Sequence, residues 1–144
     1  MKELQRLAHE ASPGGLPEFL GLELVQIEPG KATGRIDVGK HLLSSFGNLH
    51  GGVTAALVDH VLGASVLGLV EPGHWPATLE FKLNYLASIQ NGLLEATAEV
   101  VASTRRTAVV RVDVTNRGRL VAAGQGTVMI VEPRRTPYDT TAPE

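Results

Sequence analysis

The chain contains one long apolar segment, and everything else has to be arranged around it. It opens with Gly47-Asn48-Leu49-His50-Gly51-Gly52, continues through Val53-Thr54-Ala55-Ala56-Leu57-Val58-Asp59-His60, and stays apolar to Val70. A helix that is apolar around most of its circumference is buried either in a bilayer or in a protein core. The eighteen residues from Val53 to Val70 meet the length for a spanning helix. They carry Asp59 and His60 near the centre, where an ionised carboxylate is costly in lipid, and Gly63, Ser65 and Gly68 dilute them further. The segment therefore reads as a core helix, and no membrane partner is expected.

The flanking sequence supplies something for that helix to be buried against. Leu22–Ile27 and Ala32–Val38 alternate as two strands joined through Glu28-Pro29-Gly30-Lys31, a hairpin signal. After the breaker-rich stretch Glu71-Pro72-Gly73-His74-Trp75-Pro76 the pattern becomes all strand. Leu79, Phe81, Leu83 and Tyr85 alternate with Thr78, Glu80, Lys82 and Asn84. Leu94, Ala96, Ala98, Val100 and Ala102 form the next apolar face, and Ala108, Val110, Val112 and Val114 another. Asn116-Arg117-Gly118-Arg119 turns into a last strand, Leu120–Val131, softened by Gly124 and Gly126. A one-faced antiparallel sheet needs a cover, and only the long segment can provide it. The expected class is α+β, with a long central helix across five to six antiparallel strands.

With 144 residues the chain is long enough for one self-sufficient core. Three parts are expected: an N-terminal helical segment at 1–21 (Lys2–Ala11, with one more turn at Leu16–Leu20), the main domain at 22–131, and a disordered tail at 132–144. There is no cysteine, which excludes thiol catalysis and cysteine-based metal sites and makes cytoplasmic residence the simplest reading, as does the lack of an apolar signal segment in Met1–Ala11. A net charge of −2 and few aromatic residues argue against nucleic acid as a partner.

The chemistry is concentrated in the long segment. A helix beginning near Gly51 presents free N–H groups and the positive end of its dipole, which favour an anion or a polarised carbonyl oxygen, and glycines allow close approach. At 100° per residue Gly52, Ala56, Asp59 and Gly63 fall on one face of small residues, beside a bulkier face of Val53, Leu57, Val61 and Ala64. Asp59 is eight residues beyond Gly51, about 12 Å along the axis at ~1.5 Å per residue. A carboxylate that far away cannot attack a carbonyl held at its own helix start. Two such helices packed antiparallel across a twofold axis would bring Asp59 of one chain near Gly51 of the other, so a homodimer with two shared sites is expected. Taken singly, each piece has a plainer reading. Gly51-Gly52 is a tight turn, His50 is an N-cap or a buried hydrogen-bonded histidine, and Asp59 is a buried aspartate satisfied by backbone or His60.

Taken together, Gly47-Asn48-Leu49-His50-Gly51-Gly52 and Ala55-Ala56-Leu57-Val58-Asp59 resemble the signature of the hotdog-fold acyl-CoA thioesterases, in the branch with phenylacetyl-CoA and 4-hydroxybenzoyl-CoA thioesterases. The resemblance runs from about Leu22 to Val131 and includes Leu83-Asn84-Tyr85-Leu86. It implies a helix wrapped by an antiparallel sheet, dimers joined sheet edge to sheet edge, and dimers paired into a homotetramer. It also implies that the Gly51 N–H stabilises the oxyanion and that Asp59 of the facing subunit acts as nucleophile or as general base. Thr78 falls on the serine or threonine that orients water or the carboxylate, and His50 on the motif histidine that orders the helix start. Ser44 stands where relatives often carry an asparagine, with Ser45 and Asn48 nearby to substitute.

For the CoA half of the substrate the resemblance points to the turn Ser103-Thr104-Arg105-Arg106-Thr107, whose arginines offer directional donors to phosphate, with Arg134 and Arg135 as further contacts. A solvated turn is the plainer reading. Asn48 and Gly52 are expected beside the substrate, and Phe46, Leu49 and Leu62 in the acyl pocket. No metal and no organic cofactor is expected. Two other functions fit the same fold, a non-catalytic acyl-CoA-binding module and an enoyl-CoA hydratase or dehydratase. The first lacks the DNA-binding extension of a ligand-sensing regulator, and the second the His-Phe-Pro-Gly loop of the dehydratases.

Overall fold

The structure, a computed structural model, describes residues 15–132. A short helix α1 (Leu16–Leu20) leads into β1 (Glu23–Glu28) and β2 (Lys31–Val38), then a single 3-10 turn at Lys40–Leu42 and the long helix α2 (Gly51–Leu67). Four strands follow: β3 (Trp75–Tyr85), β4 (Gly92–Ser103), β5 (Thr107–Asn116) and β6 (Arg119–Val131). They form one six-stranded sheet in the order β1-β2-β4-β5-β6-β3, antiparallel throughout. This is a hotdog arrangement, α+β, with the sheet curled around α2. The expected Lys2–Ala11 helix and the tail from residue 133 onward, Arg134 and Arg135 included, lie outside the described residues.

Turn chemistry sets the hairpins. Gly30, at φ +82°, closes β1 onto β2, and Arg117 and Gly118, at φ 54° and 75°, close β5 onto β6, the paired positive φ of the tight turns that match strand twist. The helix ends at Leu67, three residues short of the end of the apolar run, and a side chain on the next residue, Gly68, would stand 2.8 Å from the Pro29 backbone. The chain must pass the β1–β2 turn there, and only glycine fits.

One side of α2 supplies the core. Leu57, Val58, Val61, Leu62 and Val66 have no exposed surface and pack on Ile36, Leu94, Val110, Val112, Val114 and Val128. Each such side chain contributes about 1.5–3 kcal/mol on burial. The small residues under the helix let it settle close: Ala96 and Ala98 are fully buried, and a Cβ at Gly34 would be 2.8 Å from Val61. The opposite side of α2, with Gly52 and Asp59 exposed and Ala55, Ala56 and Gly63 half-buried, has no sheet over it. The long segment is thus buried on one side only, and Asp59 is not a core aspartate.

Two bulges correct the alternation read from sequence. Between Thr78 and Glu80 the β3–β6 register shifts, so Thr78 pairs with the fully buried Val128 and Glu80 with Thr127 on the outer face. Cross-strand partners share a face, so Thr78 points to the helix side with Phe81, and Leu79, the extra residue, is 56% exposed. A second shift between Val100 and Ala102 turns Ala102 outward and leaves it exposed. In both cases one additional residue reverses the faces beyond it.

Candidate active site

The start of α2 is built by the loop before it. Ser44 N–H donates to Asn48 O (2.7 Å), Gly47 N–H to Ser44 O (3.0 Å), and Gly47 takes φ +79°, which closes the loop on itself. Leu49 N–H donates to Ile89 O (2.6 Å) and His50 N–H to Leu42 O (3.0 Å), tying it to the chain on both sides. His50 arrives as the N-cap: its Nδ1 accepts from the Gly52 N–H at 2.9 Å, and its carbonyl accepts from the Val53 N–H at 2.9 Å. An accepting Nδ1 places the ring proton on Nε2. Of the first three helical donors, Gly52 and Val53 are thereby used. The Gly51 N–H has no acceptor among the described residues.

Gly51 is held from below by Tyr85, at the end of β3, whose hydroxyl donates to the Gly51 carbonyl at 2.7 Å. A Cβ on Gly51 would stand 3.2 Å from Cζ and Oη of that ring. A cleft of about 560 Å³ opens over this turn, walled by Asn48, Leu49, Gly51, Gly52 and Thr54 and by Tyr85 and residues 86–89. Nothing in the sequence pattern alone marks Tyr85 as a site residue. Its only signal was membership of the Leu83–Leu86 stretch.

Asp59 faces a different space. With Ala56 and His60 it lines a smaller, half-open cavity of about 230 Å³, faced on the other side by Leu16, Pro17, Leu20 and Leu22. The two cavities share no residue, and the unbroken helix keeps Asp59 about 12 Å from Gly51. Burial pushes the His60 imidazole below its ordinary 6.5, an effect the adjacent Asp59 carboxylate partly opposes.

The remaining expected residues divide. Asn48 and Gly52 line the Gly51 cleft, and so does Leu49. The Ser44 hydroxyl accepts from Phe46 N–H at 3.3 Å and serves its own loop. Phe46, at the loop tip, is 90% exposed. Leu62 is fully buried against the sheet, where Gly126 leaves room for it, so it belongs to the core and not to an acyl pocket. Ser103, Arg105 and Arg106 are exposed, and Thr107 is half-buried at the start of β5. The turn between β4 and β5 is ordered by Thr104, whose Oγ1 accepts from the N–H groups of Arg106 and Thr107. It sits at the far end of the sheet from Gly51: Tyr85 pairs with Ala122, whereas Thr107 pairs with Met129, seven residues further along β6. That separation is about 23 Å at ~3.3 Å per residue. Within one chain the arginines and Gly51 are not brought together. Among the described residues no cluster of three or more His, Asp or Glu could hold a metal ion, and no helix is long and apolar enough to cross a membrane.

The family model for the thioesterase superfamily matches residues 46–123, the stretch from the Gly51 loop through β5 into β6. The chain belongs to the thioesterase superfamily. Its relatives are named as thioester hydrolases, and the chain is one too. It is 34% identical over 122 residues to the 1,4-dihydroxy-2-naphthoyl-CoA hydrolase of Listeria monocytogenes, covering 84% of this chain and 99% of that protein. It is 31% identical over 109 residues to human acyl-coenzyme A thioesterase 13, covering 74% and 77%. Among solved structures, a variant of the phenylacetic acid degradation protein PaaI from Thermus thermophilus superposes with a TM-score of 0.74 at 31% identity, covering 80% of this superfamily member and 97% of that chain.

Proposed function

We propose that the protein is an acyl-CoA thioesterase of the phenylacetyl-CoA and 4-hydroxybenzoyl-CoA branch, acting as a homodimer in which each site combines Gly51 of one protomer with Asp59 of the other. One observation carries the reading. The Gly51 N–H is the helix-start donor left without an acceptor among the described residues, it opens onto a cleft, and the exposed carboxylate of the same helix lies about 12 Å away. An antiparallel pair of helices, meeting on the small-residue side that no strand covers, makes that spacing productive twice.

In such a site the thioester carbonyl oxygen accepts from the Gly51 N–H, which strengthens its hold as negative charge builds on that oxygen. Two routes are open to the partner subunit's Asp59. As general base it takes a proton from water while the water oxygen bonds to the carbonyl carbon; collapse of the tetrahedral adduct breaks the C–S bond, and the proton passes to the departing thiolate. As nucleophile its own oxygen displaces the thiolate to give a mixed anhydride, which water then opens. Neither route needs a metal or an organic cofactor. His50 and Tyr85 position the donor, and Thr78, turned inward by its bulge, orients water or the carboxylate. The Ser103–Thr107 turn would meet the CoA phosphates, because in the antiparallel pair it comes to the end at which the partner's helix begins.

Release of free thiol from a panel of acyl-CoAs tests the activity. Asp59→Ala and Asp59→Asn are expected to lose at least about a hundredfold in kcat, with sedimentation showing a dimer or a pair of dimers. Full activity in Asp59→Ala, or an active monomer, would overturn the mechanism. A single turnover in ¹⁸O-water tests the nucleophile route with water opening the anhydride at the Asp59 carbonyl carbon, since only that course returns an unlabelled Asp59 oxygen to the acid.

A further inference from the structure

Resting on the thioesterase reading, we infer that α1, which lies outside the matched family region, is the wall that limits the size of the acyl group, with Leu16 as its adjustable element. For the carboxylate of Asp59 to react directly, the thioester carbon must come within about 3–3.5 Å of it. The acyl group is attached one bond further on, so it occupies space contiguous with Asp59. Such a space exists: the cavity of about 230 Å³ between α1 and the middle turn of α2 has Asp59 in its wall. The Gly51 cleft of the same chain is separate from it and remains for the other half-site.

The wall is built and anchored. Leu20 is buried to 6% exposure and pins α1 to the core. Gly21 then reverses the chain at φ +65°, with its N–H on Glu18 O and the Leu22 N–H on Pro17 O, which returns Leu22 to the same cavity. Leu16, one turn before Leu20, lines the cavity yet remains 60% exposed. Its side chain can change size without disturbing the core. Among the described residues the lining is apolar apart from Asp59 and a His60 that burial holds toward its neutral form. An apolar cavity of ~150 Å³ holds a benzene-sized ring, so the space beside Asp59 has room for a ring-sized acyl group, and α1 stands in the way of a longer one.

Wild type, Leu16→Trp and Leu16→Ala are compared on acetyl-, phenylacetyl- and palmitoyl-CoA. Wild type is expected to prefer phenylacetyl-CoA. Leu16→Trp, which fills the cavity, should lower kcat/KM for phenylacetyl-CoA about tenfold or more while changing acetyl-CoA less than threefold, and Leu16→Ala should raise the relative rate on palmitoyl-CoA. Both variants should keep the wild-type melting transition; if the tryptophan variant does not, Leu16→Ala carries the test. A wild type that hydrolyses the panel but prefers palmitoyl-CoA, or variants whose three rates move in parallel, overturns the assignment of α1 and leaves the thioesterase reading standing. A wild type that hydrolyses none of them overturns both.

Discussion

Replacing Gly51 with alanine separates its proposed oxyanion role from its structural one. The new methyl would sit 3.2 Å from Cζ and Oη of Tyr85 and 3.4 Å from Cε1, where ordinary contact begins at about 3.4 Å. The ring must yield by a few tenths of an ångström, at the expense of the 2.7 Å bond from its hydroxyl to the residue 51 carbonyl. That loss costs about 0.5–1.5 kcal/mol. Alanine is the better helix residue by about 1 kcal/mol, and Gly51 is not at a positive φ, so the two effects nearly cancel. The melting temperature should stay within a few degrees of wild type. The N–H at 51, however, moves with its peptide. Complete loss of an oxyanion donor costs ~10²–10³ in kcat, so a displaced one should cost about tenfold to a hundredfold, expressed in kcat more than in KM because the bond strengthens only as charge develops. Thiol release from the best acyl-CoA, with thermal denaturation on the same samples, measures both quantities. A kcat within twofold of wild type would refute the oxyanion role of Gly51. Tyr85→Phe, which removes the hydroxyl but leaves the ring, should fall between the two.

Other perturbations follow from different parts of the structure. Arg105→Ala with Arg106→Ala should raise KM for acyl-CoA about threefold to tenfold and leave a pantetheine thioester without the nucleotide phosphates unaffected; equal losses on both substrates would remove the turn from the CoA site. Gly124→Ala should destabilise by about 3 kcal/mol or more, because its methyl would stand 2.2 Å from the Lys82 carbonyl of the paired strand, and a chemical denaturation midpoint unchanged from wild type would contradict that packing. His60 binds its proton less readily when folded than when unfolded, because burial outweighs the attraction of Asp59. The unfolded chain therefore takes up more protons on acidification, so the contribution is fully present above about pH 6.5 and is lost as pH falls below it. Melting temperature from pH 7.5 to 5 should decline less steeply in His60→Gln than in wild type, and identical slopes would count against the assignment.

The alternation of apolar residues was enough to read six strands and one helix in their right order, since side-chain period is a local property of the backbone. The contrast between the small-residue face and the bulky face of α2 was equally local, and so was the spacing that keeps Asp59 from Gly51. What local pattern could not carry was the effect of a single extra residue: Thr78 faces the helix, and Ala102 faces away, because of bulges visible only in the paired register. Leu62 looked as suitable for a pocket as its neighbours, and only the sheet beneath it makes it core.

The Gly-rich helix start with a carboxylate two turns on was thus determined by sequence alone, as an arrangement along one helix whose geometry is known in advance. Which helix-start donors are used was decided by the tertiary structure: His50 caps Gly52, and the Gly51 N–H has no acceptor among the described residues. The Tyr85 hydroxyl reaches Gly51 across 34 residues of chain, and α1 faces the cavity at Asp59 from a similar separation. Such contacts depend on where the sheet curls and how closely the helix settles into it. Those are sums over the whole core, and no segment of sequence contains them.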